Sequence, residues 1–468
     1  MVLYFFILSL EGGTSMSDFF KLKERNTDVK TEFLAGLTTF MTMAYILAVN
    51  PSILSASGMP QAEIFTATVI ASVVGTLAMA FLANLPFALA PGMGLNAFMA
   101  YSVVIGMGYT WQLALLAVFV EGIIFIILSV TPVREAMMDA IPQNLKYGIA
   151  AGIGLFIALI GLENAAVVIP SSSTAVDLGS ITSAGPCLAL VGLLIIGILH
   201  HKKVKGAILI GIFATWILGM LAQLIGWYKV DVEAGVYSLI PSGIISLPAW
   251  ISTIGGGCFD FKTITSTFAT TGDFLLNLFV IMFSFMFVDI FDTMGTLIGV
   301  ATKSNMLDEN GKLPKTKEAL LADAIATSVG AVAGTSTTTT FVESSAGVAQ
   351  GGRTGLTSVF VAAFFVLALF FSPIFLAIPS FATAPALIFV GFLMLESLLK
   401  IDYEDVTEAL PAFIACISMP FCYSISTGIS FGIISYAIIN AVCGKAKKVN
   451  VVMWILTVVF IAYYIFLK

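Results

Sequence analysis

The chain has 468 residues, of which 59% are hydrophobic and only 10% are charged, and its formal net charge is −6 at pH 7. Apolar runs of about 20 residues recur along it, a length that spans a bilayer as a helix, so the composition excludes an ordinary water-soluble protein. The alternating ten-residue segments of an outer-membrane barrel are absent. The five cysteines form no CxxC pair and there is no basic cluster, so we predict no metal site, no cofactor and no nucleic-acid partner.

The N-terminal segment, residues 1–32, is predicted to be cytoplasmic. Its first ten residues are apolar but too short to span a membrane, and they lack the basic start of a signal peptide. Met16 then opens a polar stretch that contains several lysines. We therefore interpret residues 1–15 as a start-site extension and Met16 as the natural start.

Fourteen apolar segments follow, seven on each side of a polar connector at 227–273, and we number them spans 1 to 14. Spans 1 to 7 are predicted at 33–55, 62–85, 92–105, 111–131, 146–161, 187–200 and 206–226. Spans 8 to 14 are predicted at 274–301, 318–333, 342–352, 355–377, 383–399, 409–422 and 425–441. The C-terminal part, 442–468, is a basic loop and an apolar segment at 451–467. That segment either crosses the membrane once more or, as we favour, lies along its inner surface.

The two groups of seven spans, at 33–226 and 274–441, resemble each other. The third span of each group is short and rich in glycine, in APGMGLNAFMAY (90–101) and TFVESSAGVAQGG (340–352). Because seven is odd, two such repeats must have opposite orientations in the membrane. Inverted repeats with interrupted segments at matching positions are typical of secondary transporters, whose binding site lies at the interruptions.

Positive charges predict the orientation of the spans. Lysine and arginine lie in the N-terminal segment and after the even-numbered spans from span 4 onward, as in HHKKVK (200–205). The loop at 162–186 has neither residue, as expected of an external loop. We therefore predict a multi-pass protein of the cytoplasmic (inner) membrane with a cytoplasmic N-terminus.

The least membrane-like stretch between membrane-like flanks is GAVAGTSTTTTFVESSAGVAQGGRTG (330–355). Six hydroxyl-bearing residues, at 335–340, lead to a lone acid, Glu343. Such backbone is tolerated at membrane depth only when it is buried in protein or lines a cavity, and an acid there predicts a functional site. The alternative is a loop outside the bilayer.

Span 8 carries two further acids, Asp289 and Asp292, in FVDIFDTMGTL (287–297). Their spacing of three places them near one face of a helix. A carboxylate at membrane depth is costly unless it is paired, solvated or protonated, so it suits a group that takes up and releases protons. For Asp289, a structural hydrogen bond to a neighbouring helix is the alternative.

The interrupted spans 3 and 10 offer further polar groups. Broken helices leave N–H groups free at half-helix N-termini, and extended residues before the half-helices, around Ala90–Leu95 and Ser336–Val342, can present backbone groups. Asn96 supplies an amide that both donates and accepts. An amide, two acids and backbone edges suit a flat heterocycle with N–H and C=O groups better than a bare ion.

Five motifs resemble the nucleobase–cation symporter-2 superfamily and, within it, the AzgA-like purine permeases. They are ERNTDVKTEFLAGLTTFMTMAYILAVNP (24–51), APGMGLNAF (90–98), FVDIFDTMGTL (287–297), TSTTTTFVESSAGVAQGGRTGLTS (335–358) and LPAFIACISMPFCYSISTGISFGIISY (410–436). The resemblance implies an all-α fold of two inverted seven-span repeats, divided into a core domain (spans 1–4 and 8–11) and a gate domain (spans 5–7 and 12–14). It also implies short β-like strands in spans 3 and 10, with the substrate between them.

The same resemblance implies the site residues. The family acids of spans 10 and 8 match Glu343 and Asp292, and the polar position of span 3 matches Asn96. The predicted substrate-binding residues are Glu343, Asp292, Asn96, Phe341, Val342 and Leu95. Asp292 is the first candidate for the coupling proton and Asp289 the second.

The resemblance predicts a proton-coupled importer of purine bases, with hypoxanthine or guanine favoured over adenine, and a homodimer through the gate domain. An anion channel or exchanger of the same architecture is the alternative, but two carboxylates would repel an anion. A membrane enzyme is not indicated, because the sequence offers no nucleophile–base pair, metal cluster or soluble catalytic domain.

Overall fold

The computed structural model describes residues 16–129, 141–171, 173–230, 238–241, 243–266, 268, 270–303, 306 and 313–466. The interpretation of residues 1–15 lies outside them. Within this part of the chain, ten helices are long and apolar enough to cross a membrane, and three shorter apolar helices accompany them. The predicted class, a polytopic helical membrane protein, is confirmed.

The first seven predicted spans each coincide with a helix or a strand–helix unit. Spans 1 and 2 are Val29–Ser55 and Gln61–Ala83, span 3 is strand β1 (Leu89–Pro91) with the helix Met93–Gly106, and spans 4 to 7 are Trp111–Ser129, Gln143–Asn164, Ala184–His201 and Ala207–Leu224. A hairpin of β2 (Val168–Ser171) and β3 (Ala175–Leu178) lies in the loop between spans 5 and 6. Span 1 is interrupted at Ala44 and Tyr45, between the helices Val29–Met43 and Ile46–Ser55.

The second seven spans repeat this order. Spans 8 and 9 are Thr271–Lys303 and Thr316–Ala333, span 10 is β4 (Thr338–Thr340) with the helix Ser344–Ala349, and spans 11 to 14 are Gly355–Leu376, Ser380–Lys400, Val406–Phe421 and Ile425–Val442. A C-terminal helix, Val451–Phe466, packs on span 14, where Ser430 and Tyr464 share a hydrogen bond of 2.7 Å. The predicted extra apolar helix is therefore present.

Spans 3 and 10 meet through their strands, as predicted. β1 and β4 pair antiparallel, with Leu89 opposite Thr340 and Pro91 opposite Thr338. The pairing satisfies backbone groups that would otherwise be orphaned at membrane depth. Because the strands are antiparallel, the helices that follow them start from opposite ends of one short ribbon.

Small residues let the core helices approach closely. Span 9 packs against spans 2 and 4, and span 11 packs against spans 1 and 2. A Cβ at Gly122 of span 4 would lie 3.0 Å from the backbone nitrogen of Ser328 in span 9. Helices in a membrane associate through such close packing, because lipid supplies no hydrophobic drive between them.

Candidate functional site

A cavity of about 340 Å³ lies between spans 1, 3, 8 and 10 on one side and spans 5 and 12 on the other. We call these its core side and its gate side, after the predicted domains to which the spans are assigned. The volume falls within the range of small-molecule pockets. The cavity extends to Lys146 at the start of span 5 and Ser397 near the end of span 12, so it reaches one end of these two spans.

Glu343 lies on the core side of the cavity, between β4 and the short helix of span 10. Its Oε1 accepts a hydrogen bond of 2.6 Å from the hydroxyl of Tyr45, at the interruption of span 1. The Thr42 hydroxyl lies 3.4 Å from the Glu343 backbone oxygen. Span 1 therefore holds both the side chain and the backbone of this acid.

Asp292 faces the same cavity from span 8. Its Oδ2 accepts a hydrogen bond of 3.3 Å from the Thr339 hydroxyl. Thr339 is the middle residue of β4 and pairs with Ala90 of β1. The strand pair thus places the Thr339 hydroxyl beside Asp292, and one cavity receives two carboxylates from different spans.

The gate side of the cavity is apolar except at its open end, where Lys146 and Ser397 lie. Its larger apolar side chains are Ile149, Ile153 and Ile157 of span 5 and Val390 and Met394 of span 12. The cavity therefore has one wall that can accept hydrogen bonds and an opposing wall that, away from its open end, makes van der Waals contact. This arrangement suits a flat ligand with an N–H edge and apolar faces.

Five of the six predicted substrate-binding residues line this cavity together, namely Leu95, Asp292, Phe341, Val342 and Glu343. Asn96, the sixth, is fully buried behind the cavity. Its Oδ1 accepts from the Ser336 hydroxyl, and its amide nitrogen lies 3.4 Å from the backbone oxygen of Pro91. In this structure Asn96 holds the two interrupted spans together.

Asp289 is also fully buried and does not line the cavity. The Thr293 hydroxyl lies 3.2 Å from Asp289 and 3.1 Å from Asp323 of span 9. Nearby, the Thr337 hydroxyl donates to Glu121 of span 4 at 2.9 Å. These acids join spans 4, 8, 9 and 10, and the place of Asp289 among them is the one described by the structural alternative.

Sequence reasoning missed several cavity residues. Tyr45 and Thr339 were not singled out, although both hydrogen-bond to a predicted site acid. Strand alternation could have separated Thr339 from its neighbours, because alternate residues of a strand face opposite sides. The Thr339 hydroxyl faces Asp292, whereas the Thr340 hydroxyl faces the other way and lies 3.5 Å from Asp323.

Among the described residues, no group of three or more His, Cys, Asp or Glu side chains is arranged to hold a metal ion. The side chains that do line the cavity offer hydrogen-bond acceptance at Asp292 and Glu343 and apolar contact along span 5.

Comparison with known proteins agrees with this description. Residues 30–431 match the xanthine/uracil permeases, a family described as "Permease family". A guanine/hypoxanthine permease of Bacillus subtilis, PbuO, is 47% identical over 448 residues, which cover 94% of this chain and 98% of that protein. An adenine permease of Escherichia coli, AdeP, is 41% identical over 96% of this chain and 95% of its own length.

The fold recurs in a solved structure of low sequence identity. The transmembrane domain of the cyanobacterial bicarbonate transporter BicA superposes with a TM-score of 0.61 at 14% identity, covering 85% of this chain and 97% of that one. That likeness shows the fold alone, and it confirms the predicted inverted repeats. The chain is a multi-pass membrane protein that belongs to the nucleobase–cation symporter-2 permease family.

Proposed function

We propose that this protein imports purine bases across the cytoplasmic membrane, coupled to protons and by alternating access. The observation that carries the proposal is the pair of carboxylates, Glu343 and Asp292, that face one cavity with an apolar opposite wall. The names of two relatives, a guanine/hypoxanthine permease and an adenine permease, support a purine as the ligand.

The chemistry of the cavity fits a purine edge. Purine bases present ring N–H groups, and a carboxylate is an acceptor-only partner for them. Hydrogen bonds to an ionised group are roughly twice as strong as those between neutral groups. Glu343 accordingly accepts a ring N–H of the base, while the apolar wall of span 5 contacts the face of the ring.

An anion carrier would need different residues. Two carboxylates in one cavity repel an anionic ligand, and this repulsion discriminates against anions in favour of a neutral base. The same paired acids suit proton coupling, because a proton on one of them relieves the repulsion between them. We assign the coupling proton to Asp292, and Asp289 is the second candidate.

Alternating access is supported by contacts on the side of the cavity away from Lys146 and Ser397. Tyr101 of span 3 and Asn164 of span 5 share a hydrogen bond of 3.2 Å. The Tyr423 hydroxyl donates to Glu163 at 2.6 Å, and Tyr101 and Tyr423 pack edge to face with ring centroids 6.3 Å apart. The contacts of Tyr101 join core to gate, and the Tyr423–Glu163 bond holds the gate side of that contact together, so we call Tyr101, Glu163, Asn164 and Tyr423 the closed gate.

With the orientation given by the positive charges, the closed gate lies on the external side. The structure then represents an inward-facing state, in which the cavity reaches the cytoplasm past Lys146 and Ser397. Import requires that the core–gate contacts break on the outside and form on the inside.

Uptake competition tests the proposed substrate. Cells that express the protein and lack their own purine carriers should accumulate labelled hypoxanthine. Unlabelled guanine should compete strongly, adenine more weakly, and uracil and sulfate poorly. Strong uptake of uracil or sulfate without any purine uptake would contradict the proposal.

A further inference from the structure

We propose that Tyr45 is a positioning residue for Glu343, which it holds as an oriented acceptor for the ligand. This inference rests on the proposed function and assigns a role to a residue of the interrupted span 1. It is carried by one hydrogen bond, by the burial of the phenol and by the local break of the helix.

The hydrogen bond has the geometry of a strong, charge-assisted contact. The Tyr45 oxygen lies 2.6 Å from Oε1 of Glu343, within the range of about 2.5–2.7 Å for a hydroxyl bonded to a carboxylate. A phenol has one proton to donate, and here it is directed at one oxygen of the acid. Tyr45 does not engage the second oxygen, Oε2, and we assign to that oxygen the hydrogen bond from the ligand.

The phenol has little freedom to point elsewhere. Only 1% of the Tyr45 side chain is exposed, and its ring lies near that of Phe341, with centroids 6.5 Å apart. Thr42, one turn earlier, approaches the Glu343 backbone oxygen. A rigid donor with a second contact nearby fixes the acid at lower entropic cost than a flexible one would.

The charged surroundings of Glu343 explain why such a donor is needed. Asp292 of span 8 lines the same cavity, and its negative charge disfavours a second negative charge on Glu343. Lys146 of span 5 also lines the cavity. A hydrogen bond donated to a carboxylate favours its charged form. Tyr45 therefore keeps Glu343 available as an acceptor beside Asp292.

The test measures binding of labelled hypoxanthine to the purified full-length protein over a range of pH. Tyr45→Phe keeps the ring and removes only the hydroxyl. We expect roughly 10-fold weaker binding near neutral pH, as for a lost hydrogen bond to a charged group. As pH falls, Glu343 should lose its charge sooner, so binding should disappear at a higher pH than in the wild type.

A matched control is available in the gate domain. The Tyr436 hydroxyl lies 3.3 Å from Oε1 of Glu408, the same pair of groups away from the cavity. Tyr436→Phe should leave both affinity and pH profile unchanged. A second variant, 3-fluorotyrosine at position 45, keeps the hydroxyl and makes it a stronger donor, so it should shift the acid side of the profile to lower pH.

The outcomes separate this inference from the proposed function. If the wild type binds purine while Tyr45→Phe keeps the wild-type affinity and profile, the role of Tyr45 is wrong and the function stands. A uniform loss of affinity with an unmoved pH profile in both position-45 variants would mean that Tyr45 only supports packing, which also overturns it. If the wild type binds no purine, the proposed function itself is contradicted.

Discussion

The two walls of the cavity differ in chemistry and in the kind of sequence that forms them. The core wall combines the interrupted spans 1, 3 and 10 with the continuous helix of span 8, and it presents Glu343, Asp292, Tyr45 and Thr339. The gate wall is built from spans 5 and 12 and presents isoleucine, valine and methionine, with Lys146 and Ser397 at its open end. In the proposed transport cycle, the groups that hydrogen-bond the ligand therefore lie on the core wall, so the gate wall can move past the ligand without breaking strong hydrogen bonds.

Neutralising Glu343, the acceptor on the core wall, should have the largest effect on hypoxanthine binding. Glu343→Gln keeps the shape of the side chain but loses its charge. Truncating a buried charged partner costs about 2–5 kcal/mol, or roughly 30- to several-thousand-fold in affinity. Hypoxanthine binding by the purified variant should therefore collapse. Glu408→Gln, whose parent residue bonds to Tyr436 far from the cavity, is the matched control and should bind normally.

The second acid of the core wall should separate binding from accumulation. Asp292→Asn should abolish accumulation against a gradient, while exchange of labelled for unlabelled purine can continue. Asp289→Asn should have a milder effect, since Asp289 lies buried outside the cavity. Both variants are compared in one vesicle preparation. Normal accumulation by Asp292→Asn together with a dead Asp289→Asn would reverse the assignment of the two acids.

Truncating the gate wall should have a smaller effect than any change to the acids. Ile153→Ala removes apolar contact with the ligand face, worth about 1–2 kcal/mol for part of a side chain. We expect a roughly 5- to 30-fold rise in the dissociation constant for hypoxanthine and an unchanged proton requirement. Ile160→Ala, in the same span but outside the cavity, is the control. A loss as large as that of Glu343→Gln would contradict the division of roles between the walls.

A substitution in the closed gate should have the smallest effect of the four, and it should act on the population of the outward-facing state. Tyr101→Phe removes the hydrogen bond to Asn164 and leaves the ring packed against Tyr423. An exposed or half-buried neutral hydrogen bond contributes about 0.5–1.5 kcal/mol. The outward-facing population should rise by a few-fold, measured as faster labelling of a cysteine placed in span 3 from the external side. Unchanged labelling would show that this contact does not hold the gate.

Hydropathy and motif matches predicted the spans well, but they could not predict which side chains face the cavity. Hydrophobic runs show where helices cross, and the glycine- and hydroxyl-rich interruptions indicated spans 3 and 10. The sequence does not indicate how a helix is rotated about its axis when the residues that face lipid, core and cavity are all apolar. For this reason Ile149 and Met394 of the gate wall could not be predicted.

Polar residues at membrane depth indicated only some of the cavity-lining side chains. Glu343 and Asp292 line the cavity, as the resemblance implied, whereas Asn96 is turned inward to Ser336 and Pro91. An amide can either bind a ligand or hold two backbone segments together, and its residue type does not distinguish these roles. The role of Tyr45 could not be predicted from the sequence, because it lies in an apolar span and no Gly or Pro marks the break of the helix at Ala44 and Tyr45.

The central claim is proton-driven purine transport, and one measurement tests it most directly. The purified protein is reconstituted into vesicles with an imposed inward proton gradient, and the uptake of labelled hypoxanthine is followed without sodium. The account predicts accumulation above equilibrium that an uncoupler abolishes. Uptake that requires sodium and persists at equal internal and external pH would contradict it.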